Sequence, residues 1–304
     1  MAGASVEYTD EAFVADYREG RDGVSEALVD ETLQFLKEKR GYRKCNAFSL
    51  AEFTSWSRFV DVGCGHAVSS VSFLEKLPQG VTALCCDISA AQLESAKLTF
   101  EQRPDLKDRV QLDACAGERL PLADASVDLV TCCISFHHLD RERFYEELSR
   151  VLKPGGVLAI LSYGWPTVAG EQWTQRQADA FFGVARKYLE ATCSLGTPEL
   201  ASWFEMYRVV LNGYEGLELP FPESKTLRDA TRIWSRREGR VADIWAFLRS
   251  LRPVNLATQT EQGPADFEAM KAKAIAQAPD GTTDDSPVTN ITTWFALFSR
   301  KPTQ

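Results

Sequence analysis

The stretch Phe59-Val60-Asp61-Val62-Gly63-Cys64-Gly65 decides the fold. An apolar run carries an acid, then two glycines spaced by one residue, and Val68, Val71 and Leu74 follow at helical spacing. Glycine tolerates positive φ and has no side chain to hold a ligand away from the backbone. The helix that follows points its amino terminus at whatever fills the turn. A second apolar run, residues 81–86, closes on Asp87, where a carboxylate accepts hydrogen bonds from ribose hydroxyls. Strand, glycine turn, helix, strand and acid together describe a nucleoside-cofactor site. An ordinary tight turn uses the same glycines, but the flanking strand and acid favour the cofactor reading.

Two residues argue against a dinucleotide. Its fingerprint wants a third glycine three residues after the second, and Val68 stands there. Asp61, two residues before the first glycine, would repel a pyrophosphate and attract an ammonium or sulfonium group. A P-loop is excluded because no Gly-Lys-Ser/Thr follows at the required spacing. S-adenosylmethionine, with its ribose, amino group and cationic sulfur, fits these constraints best.

These motifs resemble those of the class I S-adenosylmethionine-dependent methyltransferases. Asp61, Gly63 and Gly65 match that superfamily's acid-x-Gly-x-Gly pattern, with Ala67 where another glycine is common. Further matches in order are Asp87, Ala116-Gly117-Glu118-Arg119-Leu120-Pro121, Val127-Asp128-Leu129-Val130 and Leu152-Lys153-Pro154-Gly155-Gly156. The run Phe136-His137-His138-Leu139-Asp140, with Tyr17 and Arg21, resembles the trans-aconitate methyltransferase-like group of small-molecule enzymes. That group usually has His-Trp at His137-His138. The resemblance implies an α/β fold, a Rossmann-like seven-stranded mostly parallel sheet flanked by helices with a helical lid. It also implies that Ala116, Gly117 and Glu118 lie near the adenine edge.

The remaining periodicity agrees with alternating strands and helices. Strands are expected at 59–62, 81–86, 110–112, 127–134 and 157–161, with helices between them and another at 24–40. Such connections are too long for hairpins, so the sheet is mainly parallel, and its ligands bind beyond the carboxyl ends of the strands. Helices are expected at 171–190, 198–210, 240–251 and 264–277, and strands at 228–234 and 291–300 as an antiparallel edge pair. Residues 280–287 read as a flexible loop. We expect one domain over 1–304, with a cofactor core at 57–163 and lid or sheet-completing segments at 1–56 and 164–304.

Composition narrows the partners. The 304 residues have a formal net charge of −9, which disfavours nucleic acid and anionic membranes, because both demand basic surface. No apolar run suggests a membrane span, and the polar start suggests no signal peptide, so a cytoplasmic setting is expected. Cys85-Cys86 and Cys132-Cys133 lie inside apolar strands and Cys64 inside the turn, a pattern of buried reduced thiols. No Cys-x-x-Cys pair supplies a zinc site. The residues specify no oligomeric state.

The expected roles are these. Gly63, Cys64 and Gly65 admit the methionine portion of the cofactor, and Asp61 faces its ammonium group. Asp87 holds the ribose and Ile88 lies against the adenine. Tyr17 and Arg21 close over the cofactor or the acceptor. His137, after the fourth strand, either hydrogen-bonds the acceptor, removes its proton, or only fixes the loop. Arg228, Arg232 and Arg236 share one face if that segment is a strand, where they attract an anionic acceptor or form a solvated edge. Trp165, Trp173, Trp203, Trp234 and Trp245 furnish a lid or a core. The expected reaction is methyl transfer to a small molecule, at carboxyl or hydroxyl oxygen first, with nitrogen, sulfur and carbon open. The alternatives are a non-catalytic S-adenosylmethionine binder and a NAD-dependent oxidoreductase, the latter disfavoured by Asp61 and Val68.

Overall fold

The computed structural model describes residues 23–38, 56–193, 198–228 and 234–303. Its strands are β1 (Arg58–Val62), β2 (Thr82–Cys86), β3 (Val110–Asp113), β4 (Val127–Cys133), β5 (Leu152–Tyr163), β6 (Thr167–Ala169), β7 (Glu223–Leu227), β8 (Trp234–Arg240) and β9 (Pro287–Arg300). The first five pair in parallel in the order β3-β2-β1-β4-β5. Residues 294–300 of β9 then run antiparallel to β5, and β7 pairs with the other edge of that half. This completes the seven strands expected. The first half of β9 pairs with β6 and β8, so the whole sheet has nine strands.

The edge pair differs from the expectation in one member. The strand anticipated at 228–234 falls between β7 and β8, and residues 229–233 lie outside those described. Glu223-Ser224-Lys225-Thr226-Leu227 has no apolar alternation, because this edge strand is half open to solvent. Nothing in its composition announces a strand.

Helices α1 (Glu26–Lys37), α2 (Val68–Lys76), α3 (Ala90–Glu101), α4 (Arg141–Val151), α5 (Gln175–Cys193), α6 (Pro198–Leu211), α7 (Val241–Arg249), α8 (Arg252–Thr258) and α9 (Gly263–Ile275) complete the chain. The sheet is buried on both faces, as its near-continuous apolar strands require. Ala159 and Leu161 of β5 share one core with Leu28 and Leu33 of α1, Phe73 of α2 and Phe100 of α3. Leu158 and Ile160 share the opposite core with Phe144 and Leu148 of α4 and Val210 of α6. β9 alternates in the same way, with Trp294, Ala296 and Phe298 in the first core and Phe295 and Leu297 in the second.

The helices after β5 build a third core. Phe181 of α5 stacks on Trp245 of α7 at 5.3 Å and meets Trp173 edge-on at 5.5 Å. These tryptophans therefore pack a lobe of their own. The single helix expected at 240–251 ends at Arg249, and α8 starts afresh with Pro253 in its first turn, where a proline is tolerated. The loop at 280–287, expected to be flexible, is tied down: Asp284 accepts from Trp245 Nε1 at 2.8 Å and pairs with Lys271 at 3.0 Å. Among the described residues no helix is long and apolar enough to cross a membrane.

Candidate functional site

The site lies at the carboxyl ends of β1 and β4. Asp61, Gly63, Cys64, Gly65, His66, Val68, Ser69, Cys133, Ile134 and Tyr163 line one cavity there. The glycine turn is left-handed three times over, at Gly63 (φ +66°), Gly65 (φ +55°) and Ala67 (φ +63°). Ala67 thus keeps the glycine-like backbone although it carries a side chain. Cys64 N–H donates to the Cys86 carbonyl at 2.9 Å and fastens the turn to β2.

Gly63 cannot be anything larger. A Cβ there would lie 2.5 Å from Ser135 Cβ, and Ser135 is fixed by its own bond to the Val62 carbonyl at 2.5 Å. Ser135 reaches that place because Ile134 adopts φ +55°, which a β-branched residue rarely does. Strain of this kind costs on the order of 1–3 kcal/mol and concentrates at functional sites. Gly63→Ala should destabilise the chain by about 2–4 kcal/mol through positive φ and overpacking. Urea unfolding checks this, and an unchanged midpoint contradicts the packing described.

Asp61 is the electrostatic centre. It is 1% exposed and accepts hydrogen bonds from Ser70 Oγ at 2.5 Å and Thr131 Oγ1 at 2.6 Å. Burial raises its pKa from 3.8 to about 6, the two hydroxyls working against that rise. The carboxylate is therefore mostly ionised at neutral pH, in a place that penalises the charge. Ser70 and Thr131 were not picked out from the sequence. Thr131 interrupts the apolar run 129–133 of β4 and stands beside Asp61 in register, a signal that was there to be read.

Asp87 binds the turn from β2. Its carboxylate accepts from Gly65 N–H at 3.0 Å and Ser89 N–H at 2.9 Å, and burial raises its pKa against those bonds. Ser89, not Asp87, caps α3 by accepting from Gln92 N–H. Ile88 beside it is half exposed at 50%. The adenine-edge segment lies apart from the cavity lining. Ala116 is exposed, Gly117 is packed so that a Cβ would meet Val62 Cγ1 at 2.5 Å, and Glu118 accepts from Asp140 N–H at 2.6 Å.

His137 sits on the turn after β4 and does not line the cavity. Its Nδ1 is 3.0 Å from Tyr214 Oη. His138 meets Trp203 edge-on at 5.8 Å, and burial lowers its pKa from 6.5 to about 4. It is thus an uncharged ring where the resembling group has tryptophan. Arg228 is exposed just after β7, and it donates to the Gly213 carbonyl at 2.8 Å, bracing the turn before Tyr214. Arg236 lies on β8 opposite Ile291. Tyr17, Arg21 and Arg232 fall outside the described residues.

A Rossmann-like sheet with a glycine turn over a buried carboxylate and a second acid on the next strand defines a nucleoside-cofactor domain. The comparisons refine that class. Residues 60–160 match the family model described as a methyltransferase domain. The chain is 31% identical over 165 residues to methyltransferase GfsG of Streptomyces halstedii, covering 53% of this chain and 54% of that protein. It is 35% identical over 104 residues to 27-O-demethylrifamycin SV methyltransferase of Amycolatopsis mediterranei, covering 34% and 37%. It thus spans about half or less of the length of these curated relatives. In fold it is similar to a solved structure from Anaeromyxobacter dehalogenans, proposed to be a Type II methyltransferase, with TM-score 0.63, 21% identity and coverage of 93% of this chain and 99% of that one.

Proposed function

We propose that this protein is an S-adenosylmethionine-dependent methyltransferase acting on a small molecule, with carboxyl or hydroxyl oxygen as the leading acceptor. The observation that carries the reading is the Asp61 carboxylate, ionised yet buried, lining the cavity under the Gly63–Gly65 turn. A phosphorylated carrier placed there would meet uncompensated repulsion, whereas a cationic ligand relieves the burial penalty. The chain's residues fit such a ligand. Gly63 and Gly65 open the backbone to the methionine portion, Cys64 lies between them, and Asp87 keeps acceptor capacity for ribose hydroxyls after its two backbone bonds. Ile88 offers an apolar face for adenine, with Ala116, Gly117 and Glu118 beyond it. Tyr17 and Arg21 remain assigned to closure over the site. The bound cofactor supplies an activated methyl group, and the protein's task is to align an acceptor with it in a water-poor cleft.

The division into a core at 57–163 and closing segments at 1–56 and 164–304 belongs to the same proposal. The resemblance to the trans-aconitate methyltransferase-like group, carried by Phe136-His137-His138-Leu139-Asp140, supports a small organic acid as acceptor. Ala67, where the superfamily often has glycine, keeps the glycine conformation and so gives no support to a non-catalytic binder.

Incubation with methyl-labelled S-adenosylmethionine and a metabolite extract tests the activity. Label is expected in small molecules; label only in protein or nucleic acid, or none at all, refutes it. Asp87→Ala should weaken cofactor binding by about 1–3 kcal/mol, the range for hydrogen bonds to a charged group. Calorimetric titration measures this, with melting recorded alongside because Gly65 and Ser89 also lose their acceptor. Unchanged affinity in a folded variant removes the ribose role.

A further inference from the structure

Tyr214 is a buried polar group that the cofactor site does not use. It is 2% exposed and held in an unusual backbone, at φ +54° directly after Gly213 at φ +64°. Arg228 secures this turn through the Gly213 carbonyl. The phenol ring is boxed by Phe136 at 5.6 Å and Phe295 at 6.4 Å. One side chain is thus fixed with its hydroxyl 3.0 Å from Nδ1 of His137.

The direction of that bond decides what His137 can do. A neutral imidazole has one N–H and one bare nitrogen, and the partner of one nitrogen fixes the state of the other. Burial drives the Tyr214 pKa far up, so the hydroxyl keeps its proton. A phenol is a stronger acid than a neutral imidazole N–H, and a bare imidazole nitrogen is a better acceptor than a phenol oxygen. Across the 3.0 Å contact the phenol proton therefore goes to the basic ring nitrogen.

We infer that Tyr214 is a positioning residue that donates to His137 Nδ1 and holds the imidazole as its Nε2–H tautomer, so that His137 meets an acceptor molecule as a hydrogen-bond donor and not as a base. Of the three roles the sequence left open for His137, this keeps acceptor binding and removes proton abstraction. An acceptor served by this residue loses no proton to it. The inference rests on placing His137 at the acceptor side of the proposed methyltransferase, but its test does not use the reaction.

The chain has three histidines, His66, His137 and His138, so their ring nitrogens are separable by two-bond nitrogen–proton correlation NMR on the uniformly nitrogen-15-labelled full chain. His→Gln variants at each position assign the signals. At neutral pH, wild-type His137 should show an imine-like Nδ1 and an amine-like Nε2. In Tyr214→Phe, which retains the ring and its packing, the His137 pattern should relax towards a mixture of tautomers while the His66 and His138 signals stay in place. A wild-type His137 with its proton on Nδ1 overturns the inference, and so does a pattern that Tyr214→Phe leaves unmoved. The wild-type spectrum alone suffices if the variant does not fold. Failure here leaves cofactor binding at Asp61 untouched, and failure of methyl transfer leaves the tautomer readable.

Discussion

Asp61→Asn is expected to make the protein more stable at pH 8 by about 3 kcal/mol, the equivalent of a pKa rise from 3.8 to about 6. It should also weaken S-adenosylmethionine binding by about 10- to 100-fold, the range for a charge-assisted bond. The sign follows from proton uptake. Between pH 3.8 and about 6 the folded chain holds a proton on Asp61 that the unfolded chain has lost, so folding is favoured there relative to higher pH. Above pH 6 both states are ionised and the burial penalty stands in full. The amide removes that penalty, and its carbonyl and N–H can still serve the Thr131 and Ser70 hydroxyls. The stability gap should therefore be widest above pH 6 and close as pH falls towards 3.8. His138, with its pKa held at about 4, loses stability as pH drops below 6.5, but it is common to both proteins and cancels in the difference. Urea unfolding of the two chains across this range is the check. A less stable Asn variant at pH 8 contradicts the description of Asp61.

Arg300→Met should cost about 3–5 kcal/mol, the range for removing one partner of a buried ion pair. Arg300 is 1% exposed and closes β9. Its guanidinium pairs with Glu223 of β7 at 3.1 Å and donates to the Leu36 and Gly155 carbonyls, each at 3.2 Å, and to that of Phe35. The same group lies 4.7 Å from the centre of the Phe35 ring. It thus satisfies the carboxyl end of α1 and joins it to the sheet edge. Methionine matches the stem but leaves three carbonyls and a carboxylate without their donor. Arg300→Lys should recover only part of the loss, because an ammonium cannot reach the same set in one plane. A loss below about 1 kcal/mol for Met, against the several expected for a buried pair, contradicts this assignment.

What the sequence made legible was local. Asp61, Gly63, Gly65 and Asp87 are readable because a strand, a tight turn and a strand end fix their separation along the chain. The parallel core followed from apolar runs that both faces of the sheet cover, and the alternation of Trp294, Ala296 and Phe298 placed β9. The contacts that tune the site are not local. Thr131 reaches Asp61 only through the β1–β4 register, and Tyr214 reaches His137 across 77 residues. The spacing of Arg228, Arg232 and Arg236 fitted one face of a strand, as an anion site or a solvated edge. Arg228 stands just after β7, and its guanidinium donates to the Gly213 carbonyl. β7 stayed hidden because an edge strand half in water carries no apolar period.

On the proposed reading, an ionised, buried Asp61 selects a cationic methyl donor over a phosphorylated carrier. Calorimetric titration of the wild-type chain with S-adenosylmethionine and with NAD, at pH 8 and at pH 5, tests it most directly. Saturable S-adenosylmethionine binding is expected at pH 8, weaker by about tenfold at pH 5 as Asp61 takes up its proton, with no NAD binding at either pH. Tight NAD binding, or S-adenosylmethionine binding that strengthens on acidification, would contradict it.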